Sequence, residues 1–196
     1  MSYRMVAQKL VDRLFHTIDN KEYYNVILYG LEIAISTLVN MILVVTLALV
    51  LKIPMETLTF CLFFMPLRLF AGGAHAKSHS ACIGLFLLCE LGSIYISKQV
   101  SSGIIQYILI SIMGVISFCL CIAYAAKSKK ANPEVKRKHR RISLVIITVD
   151  LILITLGTLL DNKFIQYSLI AGQAVFCQSI ALLPIWDRLN TLPDHE

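Results

Sequence analysis

Four long stretches of this chain contain almost nothing that water would solvate. Val26 to Leu51 has one formal charge, Glu32; Ile142 to Leu160 has one, Asp150; Ile104 to Ala126 and Phe164 to Trp186 have none. Each approaches or exceeds the about 20 residues that a helix needs to cross the hydrocarbon of a bilayer. A single water-soluble core built from 196 residues has no room for all four. Lipid is therefore the expected solvent. The composition agrees: 57% of residues are hydrophobic and 15% charged, where soluble domains run at roughly 45–50% and about 25%. That balance excludes a disordered tail, a nucleic-acid arm and a soluble domain.

Two shorter apolar segments, Thr57 to Ala71 with Pro66 and Arg68 inside it, and Cys82 to Ile96, follow the first long stretch. They either cross with some distortion or form a re-entrant pair, which needs backbone buried in protein or lining water. The expected fold is an all-α polytopic membrane protein with about six membrane-embedded helical segments. Residues 127–141, KSKKANPEVKRKHRR, set eight Lys and Arg against Glu134. This basic loop belongs in the cytoplasm by the positive-inside rule, with both termini on the same side. The net charge of +6 thus reports orientation, and no nucleic-acid partner is expected. Val6, Leu10, Leu14 and Ile18 form a helical apolar stripe opposite Lys9, Asp12, Arg13 and Asp19. Residues 1–25 are read as an amphipathic helix and linker, lying on the membrane or packed against the bundle's loops. The membrane domain spans 26–186, and 187–196 form a short cytoplasmic tail. The six cysteines lie within or at the edges of apolar runs, as small buried hydrophobes do, so a disulfide framework is not expected. Glu32, Glu90 and Asp150 are expensive in lipid and are expected to face protein or water.

Reactive groups concentrate in RLFAGGAHAKSHSAC, from Arg68 to Cys82, at an expected membrane boundary. On one continuous helix His75 and Cys82 would face the same side but sit about 10.5 Å apart along the axis. Proton transfer needs a reach of roughly 3 Å. A His–Cys dyad therefore requires a bend, which Gly72–Gly73 and the polar run Lys77 to Ser80 can supply. Cys82 would then open the next helix, capped by Ser78 or Ser80, with His79 left in the loop. A helix start beside an imidazolium favours a thiolate nucleophile. A continuous helix would instead put His75, His79 and Cys82 on one face, acceptable ligands for zinc or another transition metal in a transporter or metalloenzyme. No HExxH motif accompanies them. A third class is a structural or signalling protein whose polar hairpin binds a partner without reacting.

With Arg68, Gly72, Gly73, His75 and Cys82 in this order between two membrane segments, the chain resembles the accessory gene regulator B (AgrB) family. These are membrane cysteine endopeptidases of Gram-positive quorum-sensing systems, and the resemblance in length and hydropathy covers essentially the whole chain. It implies that His75 and Cys82 are the catalytic pair and that Arg68 and Gly73 support activity. Gly72, Ser78 and Ser80 are further candidates for supporting or substrate-binding roles, the serines as local groups able to orient His75. The implied substrate is an AgrD-like signal propeptide, cleaved through a thioester on Cys82. An internal Cys or Ser of the peptide then closes a thiolactone or lactone. No metal or cofactor is implied. The resemblance also implies a homodimer in the cell membrane; threading the spans back from the basic loop puts the site near the cytoplasmic face.

Overall fold

The computed structural model describes residues 5, 8–9, 11, 21–73, 79–100, 103–126, 133–160 and 162–184; for several helical residues, Glu32, His79 and Ser80 among them, it describes the backbone alone. Every regular element among the described residues is helical. In chain order these are α1 (Lys21–Val50), α2 (Pro54–Ala71), α3 (His79–Gln99), α4 (Gly103–Tyr124), α5 (Pro133–Leu160) and α6 (Asn162–Ile180). The chain divides into two compact units, residues 1–52 and 53–196. In the first, Val11 and Leu28 of α1 are buried in one cluster, flanked by Tyr24, Ile27, Leu31 and Ile35. Val6, Leu10, Leu14 and Ile18 of the expected amphipathic stripe lie outside the described residues.

Among its described residues the second unit is a bundle of five helices organised around α6, which packs against α2, α3, α4 and α5. Leu169, Ile170, Ala171, Ala174 and Val175 of α6 are almost fully buried, and so are Ser168, Gln178 and Ser179. The other helices turn large apolar residues outward: Leu69, Leu88, Ile104, Val115 and Leu159 are each well exposed. In water such a surface would be an aggregation hazard; in a bilayer it meets its natural solvent. Outward-facing hydroxyls are closed off as lipid requires. Thr59, Ser111, Thr148 and Thr155 each donate to the carbonyl four residues back, at 2.7–2.8 Å, leaving no free hydroxyl proton among them.

By length and composition, four helices among the described residues can cross a membrane: Pro54–Ala71, Ala81–Gln99, Gly103–Tyr124 and Pro133–Leu160. The architecture is that of a multi-pass membrane protein. Helix α2 runs without interruption through Pro66. Its 18 residues give a length of about 27 Å, close to the about 30 Å of a hydrocarbon core. Phe60 and Phe64 of α2 meet Phe86 of α3 edge-on at 5.7 and 5.2 Å, and Lys98 of α3 pairs with Glu56 of α2 at 3.3 Å, so the two helices form an antiparallel hairpin.

Several boundaries differ from the sequence reading; α1 begins at Lys21, inside the segment read as interfacial helix and linker. Helix α5 starts at Pro133, so residues 133–141 of the expected basic loop are its opening turns. Proline fits the first helical position, Glu134 suits a helix start, and Lys and Arg are good helix formers; none of this leaves an apolar period to read. Helix α6 ends at Ile180, six residues short of Trp186, with Pro184 ahead to prevent its continuation. The expectation that embedded carboxylates face protein holds for Glu90 and Asp150, 2% and 7% exposed.

Candidate functional site

The ends of α2, α4 and α6 converge with the starts of α3 and α5 at one end of the bundle. The Ala126 amide, just past α4, donates to the Ala71 carbonyl at 2.9 Å. Phe70 meets His139 of α5 edge-on at 5.9 Å, and Arg140 donates to the Ile122 carbonyl at 2.8 Å. The basic turns of α5 and the reactive stretch that begins at Arg68 therefore lie at the same end.

Helix α2 stops at this end because the chain enters conformations open mainly to glycine. Gly72 has φ +78° and Gly73 φ +130°. A β-carbon on Gly72 would meet nothing within 4 Å, so backbone freedom alone calls for glycine there. Gly73 is constrained twice. Its β-carbon would lie 2.5 Å from Nη1 of Arg68 and 3.2 Å from the Ala181 carbonyl oxygen. The missing side chain is the space into which the Arg68 guanidinium fits.

From that seat Arg68, half-buried in the last turn of α2, lies beside the sulfur of Cys82 and interacts with it electrostatically. Cys82 is the fourth residue of α3, in its first turn, half-buried and not in a disulfide. A guanidinium and the positive end of a helix dipole thus both lie at one thiol. A snorkelling topology charge would point away from the bundle; this arginine is engaged in it.

Three details of the sequence reading change. His79 is the first residue of α3, not a loop residue, and Ser80 lies inside the helix instead of capping it. Cys82 follows the helix start by three residues instead of opening it. These shifts share one cause: a helix start without a hydrophobic period has no strong sequence signal. His75 and Ser78 lie outside the described residues. Among the described residues no group of three or more His, Cys, Asp or Glu is placed to hold a metal ion. The expectation that the cysteines are buried holds for Cys121, while Cys119 is exposed on α4 and the other four are intermediate; all six are free.

Gln178 is the site residue that sequence reasoning missed. From the last turn of α6 its Nε2 donates to the Gly72 carbonyl at 2.7 Å across 106 residues of sequence, and the side chain has no exposure. A primary amide inside an otherwise apolar run was the available signal, because such groups turn toward protein when the alternative is lipid.

The family model described as Accessory gene regulator B matches residues 4–182. The chain belongs to this family. Accessory gene regulator protein B of Staphylococcus intermedius is 28% identical over 164 residues, covering 80% of each chain. The protein of the same name from Staphylococcus haemolyticus strain JCSC1435 is 29% identical over 173 residues, 87% of each. That of Staphylococcus aureus strain bovine RF122 / ET3-1 is 25% identical over 171 residues, 87% of this chain and 88% of the other. No solved structure matches the chain. As a member of the accessory gene regulator B family, the chain has its Arg68, Gly72, Gly73 and Cys82 on facing ends of α2 and α3, with the intervening segment containing His75.

Proposed function

We propose that this chain is a membrane-embedded cysteine endopeptidase of a quorum-sensing system that cleaves an AgrD-like signal propeptide and promotes its cyclisation. The observation that supports this most directly is the Arg68 guanidinium on the Cys82 sulfur at the start of α3. His75 takes the proton of Cys82, and the thiolate attacks the propeptide carbonyl at the C-terminal edge of the future signal. As the C–N bond breaks, the C-terminal fragment leaves as an amine, taking its proton from the His75 imidazolium. The signal portion stays as a thioester on Cys82. An internal thiol or hydroxyl of the peptide then attacks that carbonyl, forms the thiolactone or lactone and releases the Cys82 thiolate for reprotonation. Arg68 compensates the charge on sulfur at its formation and at this release.

The thioester retains acyl-transfer potential only while water is kept away and the internal nucleophile is held close. A site between the ends of packed helices at a membrane boundary suits both demands. Because this end of the bundle also holds the basic turns of α5, the positive-inside rule assigns it to the cytoplasmic face and both termini to the cytoplasm. Residues 1–25 then serve as the interfacial segment, 26–186 as the peptidase domain and 187–196 as the tail. The propeptide reaches the site from the inner leaflet.

Co-expression with the propeptide, followed by intact mass analysis, tests the reading. An acyl adduct on Cys82 with the mass of the signal portion is expected. Cys82→Ala and His75→Ala should each abolish cleavage while the protein still accumulates in membranes. Cleavage that survives Cys82→Ala would rule out the nucleophile and the mechanism with it.

A further inference from the structure

Nothing in the acyl-transfer chemistry itself calls for a glutamine on α6, yet one reaches the centre. Gln178 is fully buried in the last turn of that helix; its Nε2 donates to the Gly72 carbonyl, and its Oε1 has no hydrogen-bond partner among the described residues. Burying an amide with only half its capacity satisfied is unfavourable, and a leucine would pack there at lower cost. The satisfied half is bonded to the carbonyl of Gly72, the first residue past α2. Gly72 has left helical geometry, so its carbonyl finds no acceptor role within α2. On the other side of the turn Gly73 faces Arg68 Nη1, the Ala181 carbonyl and Gln178 Nε2 together. The turn is thus gripped between the end of α6 and the guanidinium that touches Cys82.

We infer that Gln178 is a positioning residue for the Cys82 centre, acting through its hydrogen bond to Gly72 to hold the glycine turn against Arg68. This rests on the proposed acyl-transfer role of Cys82. With the bond in place, the turn presents the empty side of Gly73 to Arg68. Without it the turn is free to rotate about two glycines, the least restrained backbone available. Arg68 then loses its support against the turn. Displacements near 1 Å at a reacting centre cost about a hundredfold in rate.

The test compares the wild type with Gln178→Leu, of similar volume but without the donor, and with Gln178→Asn, which keeps the amide but withdraws it by one methylene. Native membranes are treated with iodoacetamide, and alkylation is followed separately at Cys82 and at Cys119, exposed on α4, by peptide mass spectrometry. Cleavage of propeptide added to these membranes at varied concentration is resolved into kcat and KM. In both variants Cys82 alkylation should slow by about tenfold or more with Cys119 unchanged, and kcat should fall between about tenfold and a hundredfold with KM within about twofold. General loosening of the bundle would move both cysteines together, so it would overturn the assignment. So would wild-type kcat and Cys82 reactivity in variants that accumulate normally, or failure of both variants to accumulate. Cys82→Ala in the same assay separates the two levels: persistent cleavage there would defeat the acyl-transfer reading. Abolished cleavage there, with wild-type rates in the Gln178 variants, would defeat only the role of Gln178.

Discussion

Arg68 and Gly73 occupy complementary space, one side chain filling what the other lacks. Gly73→Ala should therefore impair cleavage more than Gly72→Ala, although both force a side chain onto a positive φ. At Gly72 the cost is backbone strain, of order 1–3 kcal/mol. At Gly73 the new methyl group also displaces the guanidinium from the Cys82 sulfur. Propeptide cleavage by membranes of equal protein content measures the difference, and equal activity would mean that Arg68 need not be seated there. Arg68→Lys keeps the charge but loses the planar fork that lies beside the sulfur while packing on the turn. It should lower kcat by about tenfold or more, the scale on which misplacement of a supporting group is felt; activity within twofold of wild type would reduce Arg68 to a simple charge. The identities of these residues were legible in RLFAGGAHAKSHSAC, and so was the need for a break near the glycines. Their contact was not, because it depends on the end of α6 pressing on the turn from more than a hundred residues away.

Helix contacts in lipid rest on close approach more than on hydrophobic contrast, since neighbouring chains and lipid tails are equally apolar. Gly157 of α5 marks such an approach: a β-carbon there would sit 2.5 Å from Oγ of Ser168, which is 5% exposed on α6. Gly157→Leu should destabilise the bundle by about 1–3 kcal/mol, the usual cost of overpacking. Gly92 of α3 has nothing within 4 Å of its would-be β-carbon. Gly92→Ala should leave stability unchanged or raise it by up to about 1 kcal/mol through helix propensity. Thermal unfolding in one detergent checks the pair, and equal midpoints would show that α5 and α6 do not meet closely at Gly157. The existence of the helices was readable from the runs themselves. The interior place of α6 was not, because a run free of formal charge reads as a span, and its serines and glutamines mark the difference only once their burial is known.

At the scale of the molecule, the basic turns of α5 and the Cys82 centre share an end of the bundle, so they should share a compartment. A cysteine placed at Arg141 should react with a membrane-impermeant maleimide only when the cytoplasmic face is open, whereas one placed at Gly103 should react from outside intact cells. The reverse pattern would invert the assigned orientation. Sequence alone determined the solvent and the helical class, and it gathered the candidate residues into one stretch. Lipid demands that each spanning segment satisfy its own backbone, which makes the apolar run a local and nearly sufficient statement of structure. Tertiary structure decided which helix is enclosed by the others and which side chains meet. The Gly72 carbonyl finds its donor on α6, and the Ala71 carbonyl finds its donor beyond α4, through the order in which the helices pack. No local period encodes that order, because a helix signals that it has an apolar face without signalling whether lipid or another helix will cover it.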